Sequence, residues 1–231
     1  MDLRMTVRDR RAVVWSVVVA AGSGERFGDD KQVADLAGQP VVVRSVRAAA
    51  SVSDGVVVVV AANRRSAVVD LLAGLDGVEA VVDGGTTRSA SVRCGLAAVP
   101  ADAEVVLVHD GARPLATPDL FRRVVGAVCL GAEAVVPGIP VTDSLRSAEG
   151  RVIERDGVIT VQTPQGFAAE VLRRAHADGG EASDDATLVE AAGVTVVVVE
   201  GEPANLKVTR PIDLALAALE VANSAERSTD A

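Results

Sequence analysis

Valine-rich apolar runs alternate with amphipathic segments along most of this chain, and that alternation limits the folds open to it. Six runs are predicted to be strands, at residues 13–19, 56–61, 78–82, 105–108, 134–136 and 194–199. Apolar residues three and four positions apart predict helices at residues 40–51, 64–72, 88–99, 118–130, 168–177, 184–192 and 211–222. Strands that alternate with helices are joined by crossover connections. The pattern therefore predicts an α/β fold, with a mostly parallel sheet flanked by helices.

The composition agrees with buried parallel strands. Hydrophobic residues make up 49% of the 231 residues, but aromatic residues only 2%, so valine, alanine and leucine must fill most of the core. A chain of this length fits a single α/β domain spanning residues 1–231. Within it, residues 1–12 are expected to form a loose leader and residues 223–231 a polar tail.

Charge and cysteine content exclude several classes of function. The net charge of −9 argues against general binding to nucleic acid or to a membrane surface, since both are polyanions. An anionic ligand would therefore need a local cluster of basic residues. Cys94 and Cys129 are the only cysteines, too few for a disulfide scaffold or a zinc site. Four arginines before the first apolar run imitate a secretory signal, but interspersed aspartates and the strand-like run favour a cytoplasmic protein.

A glycine-rich turn follows the first predicted strand. It reads Ala20-Ala21-Gly22-Ser23-Gly24-Glu25-Arg26 and is followed by Lys31-Gln32. Glycines let backbone N–H groups approach an anion, and Arg26 and Lys31 can neutralise phosphate oxygens. Phe27 replaces the third glycine of a dinucleotide fingerprint, and no P-loop Gly-Lys-Ser/Thr follows. The local pattern thus indicates either a triphosphate-binding turn of another type or an ordinary turn at the end of a strand.

Polar residues also follow other predicted strands. Residues 83–88 follow the third strand, and residues 109–114 follow the fourth. Because ligands bind beyond the carboxyl ends of parallel strands, we expect these two loops and residues 22–31 to meet at one rim. His109 is interpreted as structural, and His176, in a helical pattern, is expected at the surface.

The alternation fails between residues 137 and 163. Short extended pieces at 141–146, 152–155 and 158–162 are separated by the turn signals Glu149-Gly150 and Asp156-Gly157. This pattern predicts a protruding β-arm at about residues 138–162. Exposed strand edges need a cover, so the arm is expected to form a homodimer contact.

Five motifs occur in one order along the chain: Ala-Ala-Gly-Ser-Gly-x-Arg with Lys-Gln, Asp-Gly-Gly-x-x-Arg-x-x-Ser, Val-His-Asp-Gly-Ala-Arg-Pro, Gln-Thr-Pro-Gln-Gly-Phe and Asn-Leu-Lys-Val-Thr-Arg-Pro. This set, between about residues 13 and 219, resembles the 2-C-methyl-D-erythritol 4-phosphate cytidylyltransferases of the non-mevalonate isoprenoid pathway. The resemblance implies a Rossmann-like nucleotidyltransferase fold and a homodimer joined through the arm. It also implies Mg²⁺-assisted transfer of CMP from CTP to a polyol phosphate, with release of pyrophosphate.

The resemblance also implies roles at matching positions. The catalytic cations would be Arg26, Lys31 and Lys207. Nucleotide binding would fall to Ala20, Ala21, Gly22, Ser23, Gly24, Gly85, Ser91 and Asp110, with Gly85 and Ser91 reading the cytosine edge. Asp110 would hold Mg²⁺, directly or through water. From the residues alone, Ser91 could also be a helix-capping hydroxyl and Asp110 a turn-forming residue.

The polyol phosphate would be bound by a second set implied by the resemblance: Arg113, Ser144, Arg155, Thr163, Ser183 and Lys207. Arg155 would reach from the arm into the site of the partner subunit, and Arg113 would assist or brace the interface. Without the family pattern, Arg155 would be interpreted as a solvated charge on the arm. Ala204 replaces an acid that many members carry, so the metal assignment rests on Asp110.

Two other functions stay open at this point. A cytidylyltransferase for another polyol phosphate, such as ribitol 5-phosphate, would share the nucleotide half of the site and differ mainly in the polyol pocket. A non-catalytic nucleotide-binding regulator would keep the fold without turnover, although the presence of Arg26, Lys31 and Lys207 together argues against it.

Overall fold

The computed structural model describes residues 11–22, 27 and 30–229, and in these residues it has twelve strands and seven α-helices. The strands are β1 (Val14–Ala20), β2 (Asp35–Leu36), β3 (Gln39–Pro40), β4 (Gly55–Val60), β5 (Val78–Asp83), β6 (Val105–Asp110), β7 (Ala134–Pro140), β8 (Leu145–Arg146), β9 (Val152–Ile153), β10 (Ile159–Val161), β11 (Gln165–Ala168) and β12 (Val196–Glu200). The helices are α1 (Val41–Ala50), α2 (Arg65–Leu72), α3 (Arg88–Ala98), α4 (Pro118–Cys129), α5 (Ala169–Ala177), α6 (Asp185–Ala191) and α7 (Pro211–Thr229). A short 3₁₀ helix (Ala62–Arg64) precedes α2.

Eight strands form the main sheet, in the order β10-β7-β11-β6-β1-β4-β5, with β12 paired to β7. Parallel pairing joins β6 to β1, β1 to β4, and β4 to β5, and β12 is parallel to β7. The exceptions are β11, which runs antiparallel between β6 and β7, and β10, which is antiparallel to β7. The predicted mostly parallel α/β sheet is therefore confirmed.

Valines dominate both faces of this sheet. All six residues of β4 are buried, and successive side chains of a strand point to opposite faces. Val58 accordingly joins a cluster with α1 and α4, while Val57 and Val59 join a cluster with α3, α5 and α6. This arrangement explains why the strands are apolar throughout, since helices cover both faces.

Each predicted strand and helix has a counterpart in the structure, with local start signals where the sequence suggested them. Pro118 occupies the first turn of α4, and the Thr117 side chain accepts a hydrogen bond from the Leu120 N–H. The helix predicted at residues 211–222 is longer in the structure, because α7 continues to Thr229 through most of the predicted polar tail. The leader lies almost entirely outside the described residues.

The predicted β-arm is present. Strands β8 and β9 form a two-stranded hairpin separate from the main sheet, and β10 returns to pair with β7. The turns at Gly150 and Gly157 are confirmed, and both glycines have positive φ angles, 85° and 81°. Val152 and Ile153 on the hairpin are 63% and 44% exposed. Within the described residues, none of the helices is both long enough and apolar enough to cross a membrane.

Candidate active site

A cavity of about 940 Å³ lies at the carboxyl ends of the central parallel strands. The described parts of the three predicted loops contribute to it, so these loops do meet at one rim. Its lining residues are Val19, Ala21, Gly22, Lys31, Gln32, Ala61, Asn63, Arg64, Gly85, Thr86, Thr87, Arg88, Ser91, Asp110, Ala112, Lys207 and Thr209. Ser23, Gly24 and Arg26 lie outside the described residues.

Strand register brings the first and third loops together. Val19 on β1 pairs with Asp110 at the end of β6, and the Gly111 N–H donates to the Val19 carbonyl at 2.8 Å. The loop after β5 approaches just as closely, since a Cβ on Gly84 would lie 2.5 Å from the Ala21 Cβ. Only glycine fits at this contact, and the two loops can therefore line one cavity.

Three basic side chains surround Asp110. Lys207 Nζ lies 2.6 Å from Asp110 Oδ2, Arg88 Nε lies 3.7 Å from Oδ1, and Arg113 Nε lies 4.0 Å from Oδ2. Burial alone would raise the pKa of Asp110, but the charges of Lys207, Arg88 and Arg113 outweigh it and hold this pKa well below its usual range. Asp110 is therefore an ionised carboxylate at the cavity wall at neutral pH.

A buried chain of hydrogen bonds fixes Asp110 from behind. The Asp110 N–H donates to Thr163 Oγ1 at 3.0 Å, and Thr163 Oγ1 lies 3.1 Å from His109 Nδ1. His109 Nε2 lies 3.3 Å from the Arg113 carbonyl, which is an acceptor and so requires the proton on Nε2. Burial lowers the pKa of His109 to about 4. His109 is thus a neutral, structural residue, as the sequence suggested.

The loop after β5 is held by Ser91 on α3. Ser91 Oγ donates to the Thr87 carbonyl at 2.8 Å and accepts the Gly85 N–H at 3.2 Å. Thr87 is the residue that caps α3, since its hydroxyl accepts from the Ala90 N–H. A Cβ on Gly85 would lie 2.5 Å from the Ala90 Cβ. Gly85 and Ser91 therefore form one fixed edge of the cavity.

Arg88 is bound on its far side by a fully buried carboxylate. Arg88 Nη1 donates to Asp185 Oδ2 at 2.7 Å, and His176 Nε2 lies 2.9 Å from Asp185 Oδ1. Burial would lower the pKa of Arg88, but the charges of Asp185 and Asp110 raise it. The expectation that His176 lies at the surface is wrong: it is 4% exposed, because its ring packs inward against Asp185.

Two more basic residues, Lys31 and Arg64, line the cavity. Lys31 Nζ donates to the Val208 carbonyl at 3.2 Å, which ties the first loop to the segment before α7. Arg64, the last residue of the 3₁₀ helix after β4, has its Nη1 2.9 Å from Asp30 Oδ1. The cavity thus collects Lys31, Arg64, Arg88 and Lys207 against one lining carboxylate, Asp110, among the residues the structure describes.

Several predicted site residues lie away from this cavity. Arg113 and Thr163 lie behind Asp110, and Arg113 Nη1 donates to the Asn205 carbonyl at 2.7 Å. Arg155 is exposed on the arm, where it donates to the Thr142 carbonyl. The remaining three are Ser144 and Ser183, both exposed, and Ala20, buried at the end of β1.

Sequence reasoning missed several residues near the site. Arg64 follows the second predicted strand, so the carboxyl-end rule applied to every strand would have found it. Arg88 stands in a recognised motif, but no role was assigned to it. Asp185 and His176 carried no local signal, because their contacts join α5, α6 and α3.

The cavity chemistry suits a polyphosphate. Backbone from glycine-rich turns and four cations face a space at the strand ends, in a protein whose net charge is −9. The sequence model described as "IspD: 2-C-methyl-D-erythritol 4-phosphate cytidylyltransferase" matches residues 14–223. The chain belongs to this family. The IspD family comprises cytidylyltransferases that use CTP and methylerythritol phosphate in the non-mevalonate isoprenoid pathway.

Relatives agree with the IspD assignment over most of the chain. The 2-C-methyl-D-erythritol 4-phosphate cytidylyltransferase of Rhodococcus opacus (strain B4) is 45% identical over 217 residues, which cover 90% of this chain and 94% of that protein. The solved enzyme of the same name from Thermus thermophilus is 37% identical, with a TM-score of 0.74 and coverage of 90% of this chain and 98% of that one. The bifunctional enzyme IspD/IspF of Nitratidesulfovibrio vulgaris (strain DP4) is 41% identical, and the alignment covers 87% of this chain. This chain spans 56% of that bifunctional protein.

Proposed function

We propose that this chain transfers CMP from CTP to 2-C-methyl-D-erythritol 4-phosphate and releases pyrophosphate. The observation that carries the proposal is the cluster of four basic side chains, with the Gly22 and Gly85 turns, in one cavity of an acidic protein. A triphosphate would lie against the Ala21-Gly22 turn, Lys31 and Lys207. The cytosine base would lie against Gly85 and Ser91, at the edge fixed by α3. Ser23, Gly24 and Arg26 complete the proposed loop. A cytoplasmic location remains part of the proposal.

The reaction needs positioning more than proton transfer. The second pKa of a phosphate monoester is about 6, so the attacking oxygen is already ionised at neutral pH. The obstacle is repulsion between two anions, which nearby cations reduce in the transition state. Lys207 and Arg88 supply such charge beside Asp110. His109 is buried and both its nitrogens are engaged, so it does not serve as a general base.

Asp110 is the described cavity residue that fits a magnesium ion. Mg²⁺ is usually bound by one or two carboxylates together with substrate phosphates. Asp110 is ionised and lines the cavity, and the described residues contain no cluster of three or more metal-ligating side chains. We infer that Asp110 would hold the ion, directly or through water, beside the triphosphate. When bound, Mg²⁺ would neutralise charge on the phosphate oxygens.

The acceptor half of the site is proposed to include a second copy of the chain. Arg155 and Ser144 lie on the exposed arm, and Val152 and Ile153 give its hairpin an apolar surface. An exposed apolar hairpin favours burial against another chain. In the resulting homodimer, Arg155 of the partner subunit would bind the polyol phosphate together with Lys207, Ser183 and Thr163. Arg113 would brace the arm, since its Nη2 donates to the Val161 carbonyl.

The test is an acceptor assay. Pyrophosphate release is measured with CTP and Mg²⁺ and with methylerythritol phosphate, ribitol 5-phosphate or no acceptor. We expect turnover that depends on methylerythritol phosphate. Preference for ribitol 5-phosphate would assign the chain to the other acceptor. CTP binding without turnover on either acceptor would indicate a regulator instead.

A further inference from the structure

Asp185 is a fully buried carboxylate that lies next to the cavity without lining it. It is the first residue of α6 and is 0% exposed. Its two oxygens have different partners, Arg88 Nη1 at 2.7 Å and His176 Nε2 at 2.9 Å. Burying a charge is costly unless it is paired, and here both contacts are direct.

Arg88 is shared unequally between two carboxylates. Its contact with Asp185 is a hydrogen bond, but its Nε lies 3.7 Å from Asp110 Oδ1, which is beyond hydrogen-bond range. Asp185 therefore draws the guanidinium away from Asp110. As a result, Arg88 lines the cavity without forming a hydrogen bond to Asp110, the carboxylate that faces the cavity.

The backbone that carries Asp185 is fixed to the sheet. Asp184 Oδ1 accepts the Thr187 N–H at 3.0 Å, and its Oδ2 accepts from Gln165 Nε2 at 2.7 Å. Gln165, on β11 and 1% exposed, also accepts the Ala186 N–H at 3.1 Å. The start of α6 is thus tied to β11, and Asp185 can impose a position on Arg88 rather than follow it.

We propose that Asp185 is a positioning residue that acts through Arg88. It holds the guanidinium at the cavity wall, toward the nucleotide, and keeps Asp110 Oδ1 accessible to the ligand. Without Asp185, Arg88 would turn to Asp110 and form a direct pair that removes both groups from nucleotide binding. This inference rests on the proposed function for its turnover readout only.

A double-mutant cycle tests this role, with the wild type, Asp185→Asn, Arg88→Gln and the double variant. CTP affinity is measured by calorimetry, and kcat/KM by pyrophosphate release. Displacement of a positioned group by about 1 Å can cost about 100-fold in rate, so we expect each single variant to lose about 10- to 100-fold in kcat/KM. Because Asp185 acts only through Arg88, Asp185→Asn should have no further effect in the Arg88→Gln background. Additive losses, or an Asp185→Asn loss below about twofold, would overturn the proposal.

The matched control is Asp119→Asn. Asp119 pairs at 2.5 Å with Arg122 on α4, and neither residue lines the active-site cavity. This variant should keep wild-type CTP affinity and kcat/KM, and a loss equal to that of Asp185→Asn would refute a specific role for Arg88.

Two further measurements separate an effect on folding or turnover from the role of Asp185. The double variant replaces the Arg88–Asp185 ion pair by two neutral amides and leaves no unpaired buried charge, so it should remain folded in a thermal melt. Its comparison with Arg88→Gln therefore decides the question even if Asp185→Asn unfolds. CTP calorimetry needs no turnover. Non-additive CTP affinities in a chain without pyrophosphate release would refute the proposed function and support the role of Asp185. Pyrophosphate release in which the effects of the two substitutions are additive would support the proposed function and refute the role of Asp185.

Discussion

Replacement of Lys207 by methionine should separate catalysis from folding. Lys207 Nζ lies 2.6 Å from Asp110 Oδ2 and lines the cavity, but its side chain is 41% exposed. Loss of one transition-state cation should lower kcat/KM by about 10²- to 10³-fold, which corresponds to about 3–4 kcal/mol. The folding cost should be at most about 1 kcal/mol, since solvent screens the ion pair and Asp110 keeps Arg88 and Arg113 nearby.

The two quantities are measured by steady-state pyrophosphate release and by urea unfolding. Arg210→Met is the matched control. Arg210 is also a cation, lies three residues after Lys207 and pairs with Asp213 at 3.6 Å. Its side chain is 69% exposed and does not line the cavity. It should keep wild-type kcat/KM within about twofold. The reasoning is refuted if Lys207→Met keeps more than a third of the activity, or if its loss of activity merely follows a loss of folded protein.

Three further predictions concern stability, the nucleotide edge and the arm. Burial lowers the pKa of His109 to about 4 in the folded protein, and the value in the unfolded chain is about 6.5. Between pH 4 and 6.5 the unfolded chain therefore binds more protons than the folded protein. The free energy of unfolding should fall by about 3 kcal/mol as the pH drops from 6.5 to 4. The urea midpoint should fall with pH in the wild type and should depend less on pH in His109→Gln. An equal pH dependence in the two proteins would contradict this prediction. Gly85→Ala should weaken CTP binding by about tenfold or more, because its Cβ would lie 2.5 Å from the Ala90 Cβ; unchanged calorimetric affinity would show that this edge does not bind the base. Inactive Arg155→Gln and Lys207→Met chains are refolded together in equal amounts. If Arg155 acts across a dimer, about half of the dimers are mixed and each has one intact site, so about a quarter of wild-type activity should return. No recovery would show that Arg155 acts within one chain or outside the reaction.

Local patterns predicted most of the fold because most of its elements are regular. Buried parallel strands appear as valine runs, and helices repeat their apolar residues with a 3.6-residue period. The β11 strand was not predicted, since its four residues, Gln165–Ala168, show neither a long apolar run nor clear alternation. Its strand conformation comes from insertion between β6 and β7, which is a tertiary effect. The end of α7 was not predicted, because polar composition does not by itself end a helix.

The position of candidate residues was predictable where it depended on strand ends, and their roles stay predictions. Lys31 and Gly85 follow two different strands and Asp110 ends a third, and the sheet brings them to one cavity. It failed for His176 and Asp185, because a histidine in a helical pattern carries no sign of a buried carboxylate supplied by the next helix. The family resemblance supplied residue types for the acceptor site, but in our proposal their arrangement would depend on a partner chain, which no local pattern describes.

The central claim is that CMP passes straight from CTP to the acceptor phosphate, driven by positioned charge rather than by an enzyme nucleophile. The most direct test uses one diastereomer of CTP with sulfur on the α-phosphate and determines the configuration at phosphorus in the product by ³¹P NMR. A single in-line attack predicts inversion. Retention would show two successive displacements through a covalent enzyme intermediate and would contradict the claim.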